Sequence, residues 1–509
     1  MDTKNTSPAP GKARIGIFIL LAVYLFAMLP VTGVFPCGRR GVKGASLEGF
    51  TAHMDQRVKT LMKRYRIPGA SVALVEGGQI VWTKAYGYAE LETGRPLTPD
   101  TPMRVQSIAK SVTAWGVMKL VEQGKIELDS PAARYMKNWT FPKSEFAAQD
   151  VTVRQLLNHT SGLPLGDVFT IYAPTQEVPS LQESLGRQAV LMREPGTAFY
   201  YSNTGYNLLE LLVQEVTGQD FAEYMRQEVL LPLGMEHSNF DWSEALDPPV
   251  PTGYDLGGDA VPVYVFAEKG SGGLFASAED IARFIAAGMT DFSDNPVLGP
   301  ESIDQLHTPS SRKIGVYNLV FDAYGLGHYI EALPNGRRAV SHGGQGTGIM
   351  THFHAVPETG DGIVILTNSQ RSWPFIAYLL SDWAQWRGFP TVGMGRIIWG
   401  KYGLWAFVGV IWSAALLLVL QLITRGMRRK EAPSPKRRRL WRLVQLVAGT
   451  VILAILAWCV SQKYLFITSV FPIASVALGI CMFALAVVLL LSALLPAKRR
   501  ENHAAGEDR

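Results

Sequence analysis

The chain is short of cysteine. Three occur in 509 residues, Cys37, Cys459 and Cys481, and the last two fall inside apolar runs, so no disulfide framework is built from them. No cluster of cysteine and histidine has zinc-ligand spacing, and there is no His-Glu-x-x-His pair and no phosphate-cradling glycine loop. The expectation is therefore no metal and no cofactor. Repeats with a period of 20–50 residues are also missing, which argues against a solenoid or propeller. The net charge is +5, but nine of the basic residues sit between Arg425 and Arg442, including Lys436-Arg437-Arg438-Arg439. Such a short basic loop between two apolar runs marks the cytoplasmic side of a membrane, and no nucleic-acid partner is expected.

Long apolar runs are what the chain does have. Residues 15–35, 403–424, 440–461 and 466–495 can each cross a hydrocarbon core of roughly 30 Å. Lys4, Lys12 and Arg14 precede the first run, and Lys498, Arg499 and Arg500 follow the last. With every basic segment inside, both termini are cytoplasmic, while residues from about 36 to 400 and the connector at Gln462-Lys463-Tyr464 lie outside. Residues 1–36 read as a signal anchor, or as a removable signal peptide ending near Val31-Thr32-Gly33. A linker at 37–46, an extracytoplasmic domain at 47–390, three membrane helices within 400–500 and a cytoplasmic tail at 501–509 complete the division. The expected partners are a lipid bilayer and a small substrate.

Within the domain, Phe50, Met54, Val58, Leu61 and Met62 recur at helical spacing over 47–65, and Ile67-Pro68-Gly69 ends that helix. Two β-rich runs, 71–75 and 79–84, flank Gly77-Gly78 as a hairpin. Ser130-Pro131 reads as a helix start with proline at the first position. Further helices are expected at 219–230 and 277–288. The runs 349–356 and 362–367 form a closing hairpin around Pro357-Glu358-Thr359-Gly360-Asp361. Strands at both ends with helices between predict an α+β fold: an antiparallel sheet flanked by helices, plus an all-helical region and transmembrane helices.

The chemistry begins at Val105-Gln106-Ser107-Ile108-Ala109-Lys110. A serine and a lysine three positions apart on a helix share a face, roughly 5–6 Å between Cβ atoms. A neighbouring amine can then take the proton that makes a serine alcohol nucleophilic. The spacing recurs at Ser310-Ser311-Arg312-Lys313, in a polar stretch read as a loop, whereas the first copy leads into an apolar helix closing at Gly124. His159, at a helix end, reads as a structural hydrogen-bonding residue.

Ser107-Ile108-Ala109-Lys110, Tyr201-Ser202-Asn203 and His342-Gly343-Gly344 occur in the order and at the approximate separations of class C β-lactamases and penicillin-binding-protein-like serine hydrolases, a family that residues 47–385 resemble. The supporting stretches include His159-Thr160-Ser161-Gly162-Leu163, Gly272-Gly273-Leu274 and Tyr324-Gly325-Leu326-Gly327. The resemblance implies that Ser107 attacks a carbonyl to form an acyl-enzyme, with Lys110 as base or electrostatic partner. It implies that Tyr201 relays the proton, and that Asn203 binds the substrate amide and holds Lys110. His342, Gly343, Gly344 and Gln345 would form the substrate and oxyanion side, the oxyanion donors being the backbone N–H groups of Ser107 and Gln345. Many β-lactamases have Lys-Thr-Gly where this chain has His342-Gly343-Gly344. A largely neutral histidine weakens the case for β-lactams and for substrates needing a free carboxylate. The layout, with three C-terminal spans, is also similar to peptidases that remove an N-acyl-D-asparagine cap. The implied activity is a membrane-bound peptidase on D-amino-acid-containing amides. A β-lactamase or esterase of the same fold, and a membrane ligand sensor, are the alternatives.

Overall fold

Ser46 starts the domain's first helix, its hydroxyl accepting the Gly49 N–H at 3.2 Å. The computed structural model describes residues 42–292, 294–425, 435–462 and 464–495. The expected first span, Cys37, the linker up to residue 41, the centre of the basic loop and the tail fall outside the described residues. Helix α1 (Leu47–Tyr65) buries Phe50, Met54, Val58 and Leu61, the expected stripe, and stops at Arg66 in the left-handed region. Strands β1 (Gly69–Glu76) and β2 (Gln79–Glu90) follow as a hairpin, then β3 (Arg95–Pro96). Four helices matter for what comes next: α2 (Ile108–Glu122), α3 (Leu181–Gln188), α4 (Asn203–Thr217) and α5 (Ala278–Ala287). Five more strands come near the end: β4 (Ala323–Tyr324), β5 (Tyr329–Ala332), β6 (Arg338–Gly346), β7 (Ile349–Val356) and β8 (Asp361–Thr367). Helix α6 (Trp373–Trp386) closes the domain.

The eight strands form one antiparallel sheet ordered β3-β2-β1-β8-β7-β6-β5-β4. Strand β1 pairs with β8 from Ala70 opposite Thr367 to Val75 opposite Gly362. The two ends of the domain therefore meet at the sheet's centre, and the intervening helices are one long excursion. Successive residues of a strand point to opposite faces. Phe353 of β7 accordingly meets Phe284 of α5, with centroids 6.1 Å apart, while His354 meets Trp383 of α6 at 5.6 Å. Helices cover both faces, which is why every residue of β8 is buried. The predicted α+β fold is the one observed.

Two local expectations change. Ser130 and Pro131 open only a single 3-10 turn, Ala132–Tyr135, because the Ser130 hydroxyl donates to Glu127 (2.6 Å) instead of capping a helix. The helix expected at 219–230 runs as Phe221–Met225 and then widens to a π-turn over Arg226–Leu230.

The described residues divide into two compact units after Ile398. The second carries helices α7 (Gly395–Arg425, whose first turn belongs to the domain), α8 (Pro435–Ser461) and α9 (Ala474–Leu494). Three segments, Gly395–Ile423, Arg439–Ser461 and Ala474–Leu494, are long and apolar enough to cross a membrane. The apolar run 466–495 is not one helix. It breaks between Phe466–Val470 and α9, at Pro472, which lacks an N–H and disfavours helix at the preceding residue. Helix α8 meets α9 closely at Gly449, where a Cβ would come within 2.8 Å of the Leu490 side chain.

The core holds an unusual set of imidazoles. His159, His307, His328, His342, His352 and His354 are all buried, and desolvation holds each below the ordinary histidine value, His328 at about 4 and His354 at about 3. Below about pH 6.5 the unfolded chain takes up protons that these folded-state sites refuse, so stability is lost as pH is lowered, by up to about 1.4 kcal/mol per unit for each. Glu210 and Glu331, pushed up by burial to about 8 and about 7, have the opposite slope in that window. Six imidazoles outweigh these two and the two less strongly raised carboxyls, Asp280 and Asp361. The domain's melting temperature is expected to drop between pH 7 and pH 5.5; a flat or rising temperature would refute the assignment of these histidines as neutral.

Candidate active site

Gln106 sets the geometry of the site. Its φ of +54° places a non-glycine residue in the left-handed region, at a cost of about 1–3 kcal/mol. The surroundings hold it there: Gln106 Nε2 donates to Tyr264 Oη (2.8 Å), and that hydroxyl donates to the Thr347 carbonyl (3.2 Å). The turn swings the chain into α2 and leaves Ser107 at the helix mouth. One turn on, Lys110 is completely buried. Its Nζ donates to Ser107 Oγ at 3.1 Å and to the Ser271 carbonyl at 2.6 Å. Burial pushes the amine well below the usual lysine value, since the charged form loses its hydration. The Ser107–Lys110 pair expected from spacing is thus in contact, while Ser310–Lys313 sits in no helix.

Tyr201 reaches the same place from the start of α4. Ser202 caps that helix, accepting the Gly205 N–H (2.9 Å) and donating to the Pro164 carbonyl (2.6 Å). The Ser202 N–H donates to His159 Nδ1 at 3.1 Å, and the imidazole packs on the Tyr201 ring with centroids 4.3 Å apart. His159 therefore props the tyrosine, in keeping with a structural role. The Tyr201 ring lies 5.0 Å below Lys110 Nζ. Burial raises the phenol well above its ordinary value and Tyr317 adds to this, while a hydrogen bond with Ser107 works the other way. The phenol keeps its proton at neutral pH. Asn203 stands at the cleft, but its Oδ1 is buried without a hydrogen-bond partner. The expected Asn203–Lys110 bond is not made; the Ser271 carbonyl takes that place.

The third motif is a close approach of backbones. A Cβ on Gly344 would run into the Val105 carbonyl, Thr351 Oγ1 and Gln106 Cβ. Thr351 Oγ1 itself donates to that carbonyl at 2.7 Å, stitching β7 to the turn before Ser107. Gly344→Ala is expected to lower the melting temperature and cut kcat at least tenfold, because β6 must retreat from Ser107. A crystal structure or turnover assay showing an unmoved strand and full activity would contradict this. Gln345 lines the cleft, with its Oε1 accepting from Trp373 Nε1 at 2.9 Å. His342 does not. It is 1% exposed, with Nε2 at 3.2 Å from Tyr324 Oη, Nδ1 at 2.9 Å from the Gly343 carbonyl, and its ring near Tyr329. Its ring also lies 6.4 Å from that of Tyr201, so it packs behind the site with the tyrosines. Alternation along β6 turns its side chain into the aromatic cluster, and Gly343 and Gly344 offer only backbone.

Two positioning residues carry no motif signature that named them. Glu210 of α4 accepts the Lys269 and Gly270 N–H groups (2.7 and 2.8 Å), and Thr113 donates to the Gly270 carbonyl (2.9 Å). Together they fix the loop that presents Ser271 to Lys110. Gly272-Gly273-Leu274 flagged that loop in the sequence, but not the carbonyl that matters. Ser107, Asn203, Ser271 and Gln345 border one open cleft of about 510 Å³, including its solvent-open mouth. Among the described residues, no group of three or more His, Cys, Asp or Glu could hold a metal ion. A buried amine against a serine hydroxyl, beside a protonated phenol, can pass a proton in either direction. That is the requirement of acyl transfer.

The sequence profile of the Beta-lactamase family matches residues 54–379. The chain belongs to the beta-lactamase family. Relatives agree with the assignment. Protein flp of Staphylococcus aureus (strain N315) is 28% identical over 326 residues, covering 62% of each chain, so this chain spans less than two thirds of that relative's length. The octameric penicillin-binding protein homologue from Pyrococcus abyssi is 28% identical, with a TM-score of 0.55 over 66% of this chain and 77% of its own. A beta-lactamase/D-alanine carboxypeptidase from Yersinia pestis, complexed with citrate, is 24% identical and shares the fold, with a TM-score of 0.53 over 63% of this chain and 93% of its own. The three C-terminal apolar helices suggest that this beta-lactamase-family member is membrane-associated.

Proposed function

We propose that the protein is a membrane-anchored peptidase that cleaves amides beside a D-residue through an acyl-enzyme on Ser107, with its domain outside the cytoplasm. The contact that carries this reading is the one between a fully buried Lys110 Nζ and Ser107 Oγ, at 3.1 Å. The neutral amine takes the Ser107 proton as the Oγ–carbonyl bond forms. Tyr201, holding its proton, gives one to the leaving nitrogen and recovers one from the water that later attacks the ester. Backbone N–H groups of Ser107 and Gln345 bind the oxyanion, each worth about 3 kcal/mol in the transition state. Asn203, with its unpartnered carbonyl oxygen, receives the substrate amide N–H.

Amide rather than β-lactam or C-terminal carboxylate is favoured by the third motif. His342 is buried and neutral, so it supplies no fixed cation for a carboxylate. The D-residue is what the resemblance to D-residue peptidases implies. Turnover of N-acyl-D-aminoacyl anilides, p-nitrophenyl esters and nitrocefin by the full-length protein in detergent tests this directly. The D-anilide should have a kcat/KM at least tenfold above its L-isomer and above nitrocefin. Nitrocefin turnover exceeding that of both anilides would replace the reading with a β-lactamase.

A further inference from the structure

The cleft beside Ser107 is acidic. Among the described residues lining it, Asp167 and Glu268 are the charged ones; the others are polar or apolar. Asp167 closes its own turn, its carboxylate accepting the Phe169 and Thr170 N–H groups at 2.9 and 3.0 Å and the Thr170 hydroxyl. Glu268 differs. It is only 9% exposed, and its Oε1 accepts from the Ser184 hydroxyl and from Gln188 Nε2 (2.8 Å), both on α3. Its other oxygen has no hydrogen bond and no ion pair among the described residues. The adjacent Lys269 does not neutralise it, because that amine turns away to Asp241 (2.7 Å) and Asp220 (3.6 Å).

A second observation points the same way. Asn207, 4% exposed, lines this cleft one helical turn beyond Asn203, and both side-chain carbonyl oxygens are buried without a partner. A buried acceptor left unmade costs about 1–3 kcal/mol, so two of them beside an unpaired carboxylate call for a donor. Glu210, a further turn along α4, holds the backbone of Lys269 and Gly270, which fixes the Glu268 loop against this face of the helix. The three acceptors therefore belong to one rigid wall. With the Asn203 oxygen taken by the substrate amide, a carboxylate and the Asn207 carbonyl oxygen remain as acceptors for an ammonium group, whose third donor faces the open cleft. A cage of several carboxylates for a metal ion is not formed among the described residues.

We propose that Glu268 and Asn207, next to the amide-binding Asn203, form a subsite for a protonated amine on the substrate, so that the enzyme selects cationic over neutral or anionic amides. This deepens the proposed peptidase reading and rests on it for the identity of the reaction, though the binding itself does not require turnover.

The test uses full-length Ser107→Ala protein in detergent, which binds without reacting. Anilides of D-alanine acylated with glycyl, 4-aminobutyryl or 6-aminohexanoyl groups are titrated calorimetrically beside their N-acetylated counterparts. At one of these lengths or more, the free amine should bind at least tenfold tighter than its acetylated form. Adding Glu268→Gln should erase that preference, and adding Asn207→Asp, which places a second carboxylate at the wall, should enlarge it. Melting temperatures matching the parent show that both variants are folded. Equal affinity of free and acetylated forms at all three lengths overturns the subsite, as does a preference unchanged by Glu268→Gln. Failure of the peptidase reading shows separately, as wild-type protein that binds these anilides without cleaving them.

Discussion

Ser107→Ala is expected to lower kcat by about 10⁶-fold while leaving the fold intact. A nucleophile that acts as a unit with its base shows losses of this order, and a residual rate above that in water survives from oxyanion binding alone. The substitution removes one hydroxyl, contacted by Lys110 at 3.1 Å, from the mouth of a helix that is otherwise packed on every side. Nothing in the core depends on that oxygen, so the melting temperature should stay within a few degrees. Stopped-flow and steady-state turnover of a p-nitrophenyl ester, with a thermal melt of the same preparation, reads both quantities. A loss smaller than about 100-fold would mean that another group is attacking the carbonyl.

Lys110→Met is expected to be nearly as damaging, about 10³- to 10⁴-fold in kcat, in the upper part of the range for removing a general base. Methionine matches the length of the lysine stem, so the effect is chemical and not a cavity. Stability should move the opposite way. The amine is completely buried, with two hydrogen bonds and no ion pair among the described residues, so an apolar side chain relieves a desolvation cost. Lower activity with an unchanged or higher melting temperature separates this outcome from misfolding. The sign of the pH dependence follows from the same burial. Burial holds the Lys110 amine well below the ordinary lysine value, so if it acts as the proposed base, wild-type kcat/KM should rise with pH through a value below the ordinary lysine range. That limb should vanish in Lys110→Met. The double variant with Ser107→Ala should be no slower than Ser107→Ala alone, because the pair works as one device. Multiplying losses would show that Lys110 acts on something else.

The parts of this site that could be read in the sequence are those encoded locally. Ser107 and Lys110 share a helical face, and one turn of helix is enough to bring them together. Tyr201 precedes a capped helix start. Contacts across long separations were not legible. Lys110 and Ser271 are brought together only by the packing of α2 and α4 around one loop, and Glu268 meets α3 through Ser184 and Gln188. The strain at Gln106 is likewise invisible, since its support comes from Tyr264 and Thr347 far along the chain. His342 shows the limit most clearly. Its motif was evident, yet which face of β6 it occupies depends on strand register and on the tyrosines around it. The fold itself was legible because hairpins at both ends of the domain have nowhere to bury their apolar faces except against each other. The break at Pro472 was written in the sequence too, but the long apolar run around it hid the residue that ends the helix.

One covalent experiment decides whether Ser107 is the reacting group. Full-length protein in detergent is treated with a fluorophosphonate, its intact mass is measured, and the labelled peptide is mapped. The structure predicts a single adduct, on Ser107, formed faster as pH rises and absent from Ser107→Ala. An adduct on another serine, such as Ser310 or Ser311, or equal labelling of the Ser107→Ala protein, would contradict it.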